Sequence, residues 1–130
     1  KTSGYASGGE NLPYIGLTTP WFYENGDYSY APIPKQVADA LRGRKFNNFD
    51  SFRKEIWTKI GGNSSLISAG HFDDDDIDFM RRGKAPKKGT KNPYHLHHIA
   101  PIHAFGSVYG FDNILIVKST CHRKIHSRLR

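Results

Sequence analysis

The sequence has almost no cysteine and no long hydrophobic run. Cys121 is the single cysteine among 130 residues, which excludes an internal disulfide and a cysteine-rich zinc site. No stretch approaches the roughly 20 apolar residues of a membrane-spanning helix, and no secretory signal pattern opens the chain. The first residue is Lys1 rather than Met, and we expect the chain to be part of a longer protein.

Acidic residues are few relative to basic ones. Nineteen Lys and Arg against 12 Asp and Glu give a formal net charge of +7 and a pI near 9.6. Such a surface attracts polyanions, either nucleic acid or an anionic membrane, although excess charge also serves solubility. With 37% hydrophobic residues, the chain is long enough for one domain that buries its own core.

The beginning of the chain is rich in glycine and serine. This composition predicts a linker or N-terminal extension over residues 1–18, followed by one folded domain over residues 19–130. Aromatic residues then surround Asn25-Gly26, which is a turn signal. We expect these aromatics, which include Trp21 and Tyr23, to pack an irregular segment onto the domain.

Two helices are predicted in the next part of the chain. The first follows Pro34 and ends by Gly43, because proline suits the start of a helix but not its interior. The second is capped by Asn48 or Asp50 and stops at Gly61. Its apolar residues recur at helical spacing: they are Phe49, Phe52, Ile56, Trp57 and Ile60.

Residues 63–90 are polar and strongly charged, and we expect only one or two short helices there. The last part differs again. Residues 94–98 predict a short strand, and the β-branched residues of 114–117 predict a second one after a loop. Ser119 suits the cap of a final helix over 120–128. The predicted order is therefore strand, loop, strand, helix.

Histidines concentrate in this last part. His122 and His126 are four residues apart, so they point from one face of the predicted helix and can hold one metal ion. His97 offers a third ligand, which leaves a position open for water or phosphate, as in catalytic rather than structural zinc sites. On its own, a histidine pair at this spacing is also typical of two surface residues.

The neighbouring histidines differ from His97 in the direction they face. His98 is the next residue along the strand, so it points to the opposite face. There it suits a general base, because histidine titrates close to neutral pH. His95 points to the same side as His97 and lies either near the site or on the strand surface. His71 and His103 are interpreted as ordinary loop residues.

These segments together resemble the ββα-metal motif of the HNH endonuclease superfamily. More narrowly, they resemble the nuclease domain of DNase-type colicins and S-type pyocins. The motif residues are Tyr94-His95-Leu96-His97-His98, Val108-Tyr109-Gly110-Phe111-Asp112-Asn113-Ile114 and His122-Arg123-Lys124-Ile125-His126. Upstream matches are Ala31-Pro32-Ile33-Pro34, Ala38-Asp39, Phe49-Asp50, Phe52-Arg53-Lys54 and Trp57. The implied fold is α+β, a mainly helical small domain with a C-terminal ββα-metal motif, and residues 1–18 stay unmatched.

The resemblance implies metal-dependent, largely sequence-nonspecific cleavage of double-stranded DNA. One divalent ion, Zn, Ni or Mg, would be held by His97, His122 and His126. His98 would activate the attacking water, and Asn113 would tie the loop between the strands so that His98 is aimed correctly. Arg53 stands where the family has an arginine that contacts phosphate.

Two positions depart from the family pattern. His95 stands where the family usually has a glutamate, and Lys91 where an arginine is common. Both are close to the implied site, so we expect metal preference and DNA contacts to differ from those of the family. With Arg53, they are the residues we expect to bind DNA.

The resemblance also implies a secreted bacteriocin whose monomeric nuclease domain acts in the cytoplasm of the target bacterium. A small acidic immunity protein would hold it inactive by binding at about 63–88. The expected contacts there are Phe79 and Met80 as apolar residues, with Asp76 and Arg81 as charged ones. The aspartate run Asp73–Asp76 either rejects non-cognate immunity proteins by charge repulsion or is solvated and paired with Arg81 and Arg82.

Two other functions fit the same residues. One is a ββα-metal nuclease of a restriction, homing or contact-dependent toxin system, or one that prefers RNA. The other is a non-catalytic metal module that binds nucleic acid, which requires four protein ligands and has no need for His98. Three ligands with a separate base favour the nuclease.

Overall fold

The computed structural model describes residues 3–25, 28–86, 94–100 and 108–119. Its strands are β1 (Gly4–Tyr5), β2 (Tyr23–Asn25), β3 (Tyr28–Pro32), β4 (Lys45–Phe46), β5 (His95–His98) and β6 (Ile114–Ser119). Its helices are α1 (Lys35–Leu41), α2 (Phe49–Gly61), α3 (Ser64–Ser68) and α4 (Asp74–Arg81), with a 3-10 turn at Phe111–Asn113. The predicted α+β class is confirmed. Within these ranges, no helix has the length and apolar character needed to cross a membrane.

Helix α2 supplies the centre of the core. Phe52, Ile56, Trp57 and Ile60 are all fully buried, as their spacing predicts. The helix begins after Asn48, whose side-chain oxygen accepts a hydrogen bond from the Ser51 backbone N–H at 2.9 Å. Its position over the sheet follows from this apolar stripe, and its first turn reaches the end of β5 through Phe49.

The main sheet is antiparallel, with strand order β2-β3-β6-β5. One face packs on the main core through residues such as Ile114 and Ile116. The opposite face carries a smaller apolar cluster, in which Val117 packs with Tyr30 and Leu115. Alternate side chains along β5 therefore face either the main core or the smaller apolar cluster.

The hairpin of β2 and β3 replaces the irregular segment expected around the aromatic residues. Trp21 is buried just before β2, and its indole N–H donates to the Pro32 carbonyl at 2.9 Å. Pro32 lies at the last position of β3, where the missing proline N–H costs the ladder little. In the segment Ala31-Pro32-Ile33-Pro34, the expected helix start is confirmed for Pro34, the residue that precedes α1, whereas Ala31 and Pro32 end β3.

The N-terminal segment is not a linker in its described part, which corrects that expectation. Strand β1 pairs with β4, and both Ala6 and Ile15 are buried. The Gln36 side chain holds Ile15 by both backbone groups: it accepts from the N–H at 3.0 Å and donates to the carbonyl at 2.7 Å. Gly8 and Gly9 have φ of 77° and 84°, so here glycine serves a defined turn rather than flexibility.

Helices α2 and α4 approach closely at Gly61. A Cβ placed on Gly61 would lie 2.9 Å from Met80 Cβ, which real atoms do not allow. Met80 is fully buried in this contact, and Asp76 is only 2% exposed. The interpretation of these two residues as surface contacts is therefore corrected, because the apolar side of α4 is already used by α2.

Candidate functional site

Strand β5 places its histidines on opposite faces of the sheet. His97 lies opposite Leu115, on the face of the smaller apolar cluster. His98 lies opposite Ile114, on the face of the main core, and its side chain is half-buried. His95 lies opposite Val117 and shares the face of His97. This is the arrangement that strand alternation predicts.

The imidazole of His98 is held by a backbone carbonyl. His98 Nε2 lies 3.0 Å from the carbonyl oxygen of Val108. Because a carbonyl oxygen only accepts, Nε2 carries the proton in this bond, and Nδ1 is the nitrogen with the lone pair in the neutral ring. The contact therefore selects a tautomer that can accept a proton at Nδ1.

Asn113 closes the turn that follows His98. Its side-chain oxygen accepts from the Ala100 backbone N–H at 2.7 Å, and its amide nitrogen donates to the Ala100 carbonyl at 3.1 Å. The backbone adds a third bond, from the Ile99 N–H to the Asn113 carbonyl at 2.8 Å. The end of β5 is thus tied to the start of β6 directly beside His98.

Arg53 lies one helical turn after Phe49 on α2. It forms an ion pair with Asp50, and its guanidinium carbon lies 6.0 Å from the centre of the Phe49 ring. The same ring lies 4.9 Å from the His98 ring, centre to centre. Arg53 and His98, which are far apart in sequence, therefore both lie against the Phe49 ring.

The N-terminal segment is hydrogen-bonded to the turn that precedes Asn113. Ser7 donates its backbone N–H to the Tyr109 carbonyl at 3.1 Å, and the Phe111 N–H donates back to the Ser7 carbonyl at 2.9 Å. The Asp112 carboxylate accepts from the Gly9 N–H at 3.0 Å. These bonds fix the turn that leads directly into Asn113, and nothing in the composition of the segment signals them.

Several expected site residues lie outside the described ranges. These are Lys91, His103, His122 and His126. Among the residues that the structure does describe, no three His, Cys, Asp or Glu side chains are grouped closely enough to hold a metal ion. Of the expected ligands, only His97 has a described position, and the ligand set stays a prediction.

On α4, the charged residues divide between surface and interior. Asp73, Asp74, Asp75 and Asp78 are exposed, and Arg82 pairs with Asp78 at 2.5 Å. Phe79 is half-buried with the Arg82 guanidinium 5.5 Å from its ring centre, and Arg81 is exposed. Asp78 lies outside the run Asp73–Asp76, so the expected pairing of that run with Arg81 and Arg82 stays a prediction.

Tyr94 directly precedes β5, is buried, and its phenol has a raised pKa. Burial raises the pKa of its phenol to about 12, and the nearby carboxylates of Asp76, Asp73 and Glu24 act in the same direction. His71 packs against the Trp21 ring on the same side of the molecule. Neither residue contacts His98 in the described structure, so we assign both to packing.

A family model described as "Colicin/Pyocin-S2, DNase domain" matches residues 4–128. The chain belongs to this family of colicin and pyocin DNase domains, which are metal-dependent DNases. Colicin-E7 of Escherichia coli is 35% identical over 116 residues, which cover 85% of this chain and 20% of the colicin. Pyocin-S2 of Pseudomonas aeruginosa is 31% identical over 127 residues, which cover 93% of this chain and 18% of the pyocin. The expected resemblance is confirmed, and the expectation that residues 1–18 stay unmatched is wrong, because the match begins at residue 4.

Solved structures agree with the sequence relatives. The pyocin AP41 DNase–immunity complex contains a chain with a TM-score of 0.74 and 26% identity, covering 99% of this chain and 96% of that one. The mutant nuclease domain of pyocin S8, solved with its cognate immunity protein, has a TM-score of 0.76 and 25% identity. The match covers 95% of this chain and 99% of that one. The chain therefore has the extent of a nuclease domain but spans about a fifth of the length of the colicin and pyocin relatives above.

Proposed function

We propose that this chain is a metal-dependent, largely sequence-nonspecific DNA endonuclease, the cytotoxic domain of a bacteriocin. The observation that carries the proposal is the setting of His98. Its Nε2 is held by the Val108 carbonyl, and its neighbour His97 faces the opposite side of the sheet. His97 can therefore bind a metal ion while His98, which does not share that face, acts as the base beside it.

The chain's own residues account for the proton transfer. His98 accepts a proton at Nδ1 from the water that attacks the phosphodiester, since a neutral imidazole is a suitable base near neutral pH. Asn113 keeps the turn after His98 closed, and Arg53 binds a phosphate oxygen. The ion pair of Arg53 with Asp50 is exposed, so phosphate can replace the carboxylate.

The donor set fits a divalent metal ion. His97, His122 and His126 offer three imidazoles, which suit Zn or Ni, whereas Mg prefers oxygen ligands. When bound, such an ion stabilises charge on the phosphate and on the departing 3′-oxygen. We therefore assign these three residues as the ligands and rank Zn and Ni above Mg.

DNA binding rests on charge rather than on base recognition. The net charge of +7 favours a polyanion, and we assign phosphate contacts to Arg53, Lys91 and His95. Phosphate contacts position a protein on DNA without reading its sequence. This favours cleavage with little sequence preference.

A small acidic immunity protein is the proposed protein partner. Both solved nuclease domains described above were crystallised with an immunity protein. On α4, Phe79 and Arg81 retain accessible surface, and we keep them as contacts, whereas Met80 and Asp76 are withdrawn. Since the relatives are secreted bacteriocins, we further propose that the domain acts as a monomer in the cytoplasm of the target cell.

Cleavage assays with two substrates test this function. The purified chain is incubated with supercoiled plasmid or with structured RNA, in Mg²⁺, Ni²⁺, Zn²⁺ or EDTA. We expect metal-dependent nicking of the plasmid that EDTA abolishes, and much slower loss of RNA. Faster degradation of RNA would favour the RNA-cleaving alternative. Binding of both substrates without cleavage in any metal would favour the non-catalytic module.

A further inference from the structure

Phe49, the first residue of α2, lies between the two side chains to which the proposed function gives catalytic roles. Its ring is 4.9 Å from the His98 ring at an interplanar angle of 49°, and the Arg53 guanidinium carbon is 6.0 Å from its centre. In the sequence, Phe49 is an apolar residue of the predicted helix and part of the Phe49-Asp50 family match, and neither observation gives it a role at the site. Its contacts instead place it at the site.

The Phe49 ring is fixed by the start of the helix. Asn48 caps the helix by accepting from the Ser51 N–H, which sets the backbone of the first turn. On its inner side, Phe49 contacts the fully buried Phe52, with ring centres 5.7 Å apart. A half-buried aromatic ring held in this way is a rigid surface for whatever packs against it.

The His98 imidazole requires such a surface to fix the plane of its ring. Among the contacts that the structure gives for its ring, the only hydrogen bond is the one from Nε2 to the Val108 carbonyl. One hydrogen bond fixes a point on the imidazole but allows the ring plane to swing about it. The Phe49 ring supplies the second contact. Together they determine where the Nδ1 lone pair points.

We propose that Phe49 is a positioning residue for His98, which sets the plane of the imidazole and thereby the direction of Nδ1. The proposal rests on the endonuclease function given above. A general base must lie within hydrogen-bond reach of the proton it takes. A displacement of about 1 Å can cost about 100-fold in rate.

The test compares variants of Phe49 in plasmid cleavage under steady-state conditions. Phe49→Leu keeps an apolar side chain but loses the flat face, so we expect kcat to fall about tenfold while KM stays within about twofold. Phe49→Tyr keeps the ring and should stay within about twofold of the parent kcat. The divalent metal affinity, measured by calorimetry with Zn²⁺, should not change in either variant.

Phe22→Leu is the matched control. Phe22 is also half-buried and packed among aromatic rings, with Trp21 at 4.9 Å and Tyr94 at 5.8 Å, but it does not contact His98. It should lose similar stability and retain the parent kcat. If Phe49→Leu does not fold, Phe49→Met replaces it, because methionine fills irregular space more readily.

Arg53 provides the internal check, because Phe49 touches it as well. In an Arg53→Ala background, Phe49→Leu should still lower kcat about tenfold. Disappearance of the effect there would show that Phe49 acts through Arg53, which overturns the proposal. An unchanged kcat in Phe49→Leu, or an equal loss in Phe22→Leu, would also overturn it. Absence of cleavage by the parent chain in every metal would instead refute the endonuclease function itself.

Discussion

Replacing Asn113 by alanine removes the two side-chain hydrogen bonds that close the turn after His98. The bonds join the Asn113 amide to both backbone groups of Ala100, at 2.7 and 3.1 Å. Each such bond contributes about 0.5–1.5 kcal/mol net, so the pair is worth about 1–3 kcal/mol. Because Ala100 is exposed and water can replace the lost partners, we expect the lower half of this range.

The loss of activity should exceed the loss of stability. Without the two bonds, the backbone bond from the Ile99 N–H to the Asn113 carbonyl remains, but the turn after His98 is less firmly closed, so we expect His98 to sample orientations in which Nδ1 is misaimed. We expect Asn113→Ala to lower kcat for plasmid nicking by about tenfold or more, in line with the loss of a well-placed general base. The melting temperature should fall by only a few degrees.

Gln36→Ala is the control for this prediction. The Gln36 side chain bonds both backbone groups of Ile15 as Asn113 bonds those of Ala100. It lines a cavity with Thr58 and Lys59 in the last turn of α2, whereas His98 contacts Phe49 in the first turn. The two variants should therefore lose comparable stability, and only Asn113→Ala should lose activity. Equal rates in Asn113→Ala and the parent chain, or equal rate losses in both variants, would refute the reasoning.

Three further predictions concern the core, the pH dependence of stability and the metal. Gly61→Ala should destabilise the fold by about 1–3 kcal/mol in urea titration, because the new Cβ meets Met80 at 2.9 Å; an unchanged midpoint would contradict the close packing of α2 and α4. The pKa of Tyr94 is raised from 10.0 to about 12. The contribution of its neutral phenol to the free energy of unfolding is therefore complete below pH 10 and is lost as the pH rises towards 12. It amounts to about 2–3 kcal/mol, and Tyr94→Phe should remove this part of the alkaline destabilisation, whereas identical alkaline profiles would show that Tyr94 ionises normally. Adding Zn²⁺ at about 100 times its dissociation constant should raise the unfolding free energy by about 2.7 kcal/mol, and EDTA should reverse this; a His97→Ala variant that responds equally would exclude His97 as a ligand.

The sequence predicted the parts of the site that depend on local periodicity. His97 and His98 face opposite sides because side chains alternate along any strand, whatever the rest of the fold. Helix α2 was predicted because its apolar residues repeat at helical spacing and Asn48 is a good cap. The family motif locates Asn113, and the structure adds its two side-chain hydrogen bonds to Ala100.

Features that depend on packing between distant segments were not predictable. Glycine and serine near the N-terminus suggested a linker, yet Gly9 bonds Asp112, 103 positions away. The sequence pattern suggests that Met80 and Asp76 lie on the surface. They are buried instead, because α2 and α4 approach closely at Gly61, and this approach depends on the tertiary fold. The His98 ring is hydrogen-bonded to the backbone carbonyl of Val108. Every residue has such a carbonyl, so the sequence cannot indicate which one is used.

The most direct test of the central claim is plasmid nicking by the parent chain and by His98→Ala, with Ni²⁺ or Zn²⁺ present. His71→Ala serves as the control, since His71 packs against aromatic rings away from the site. The account predicts that nicking by His98→Ala falls by about 100-fold or more, as expected for loss of a general base, while His71→Ala cleaves at the parent rate. Cleavage by His98→Ala at the parent rate would contradict the account.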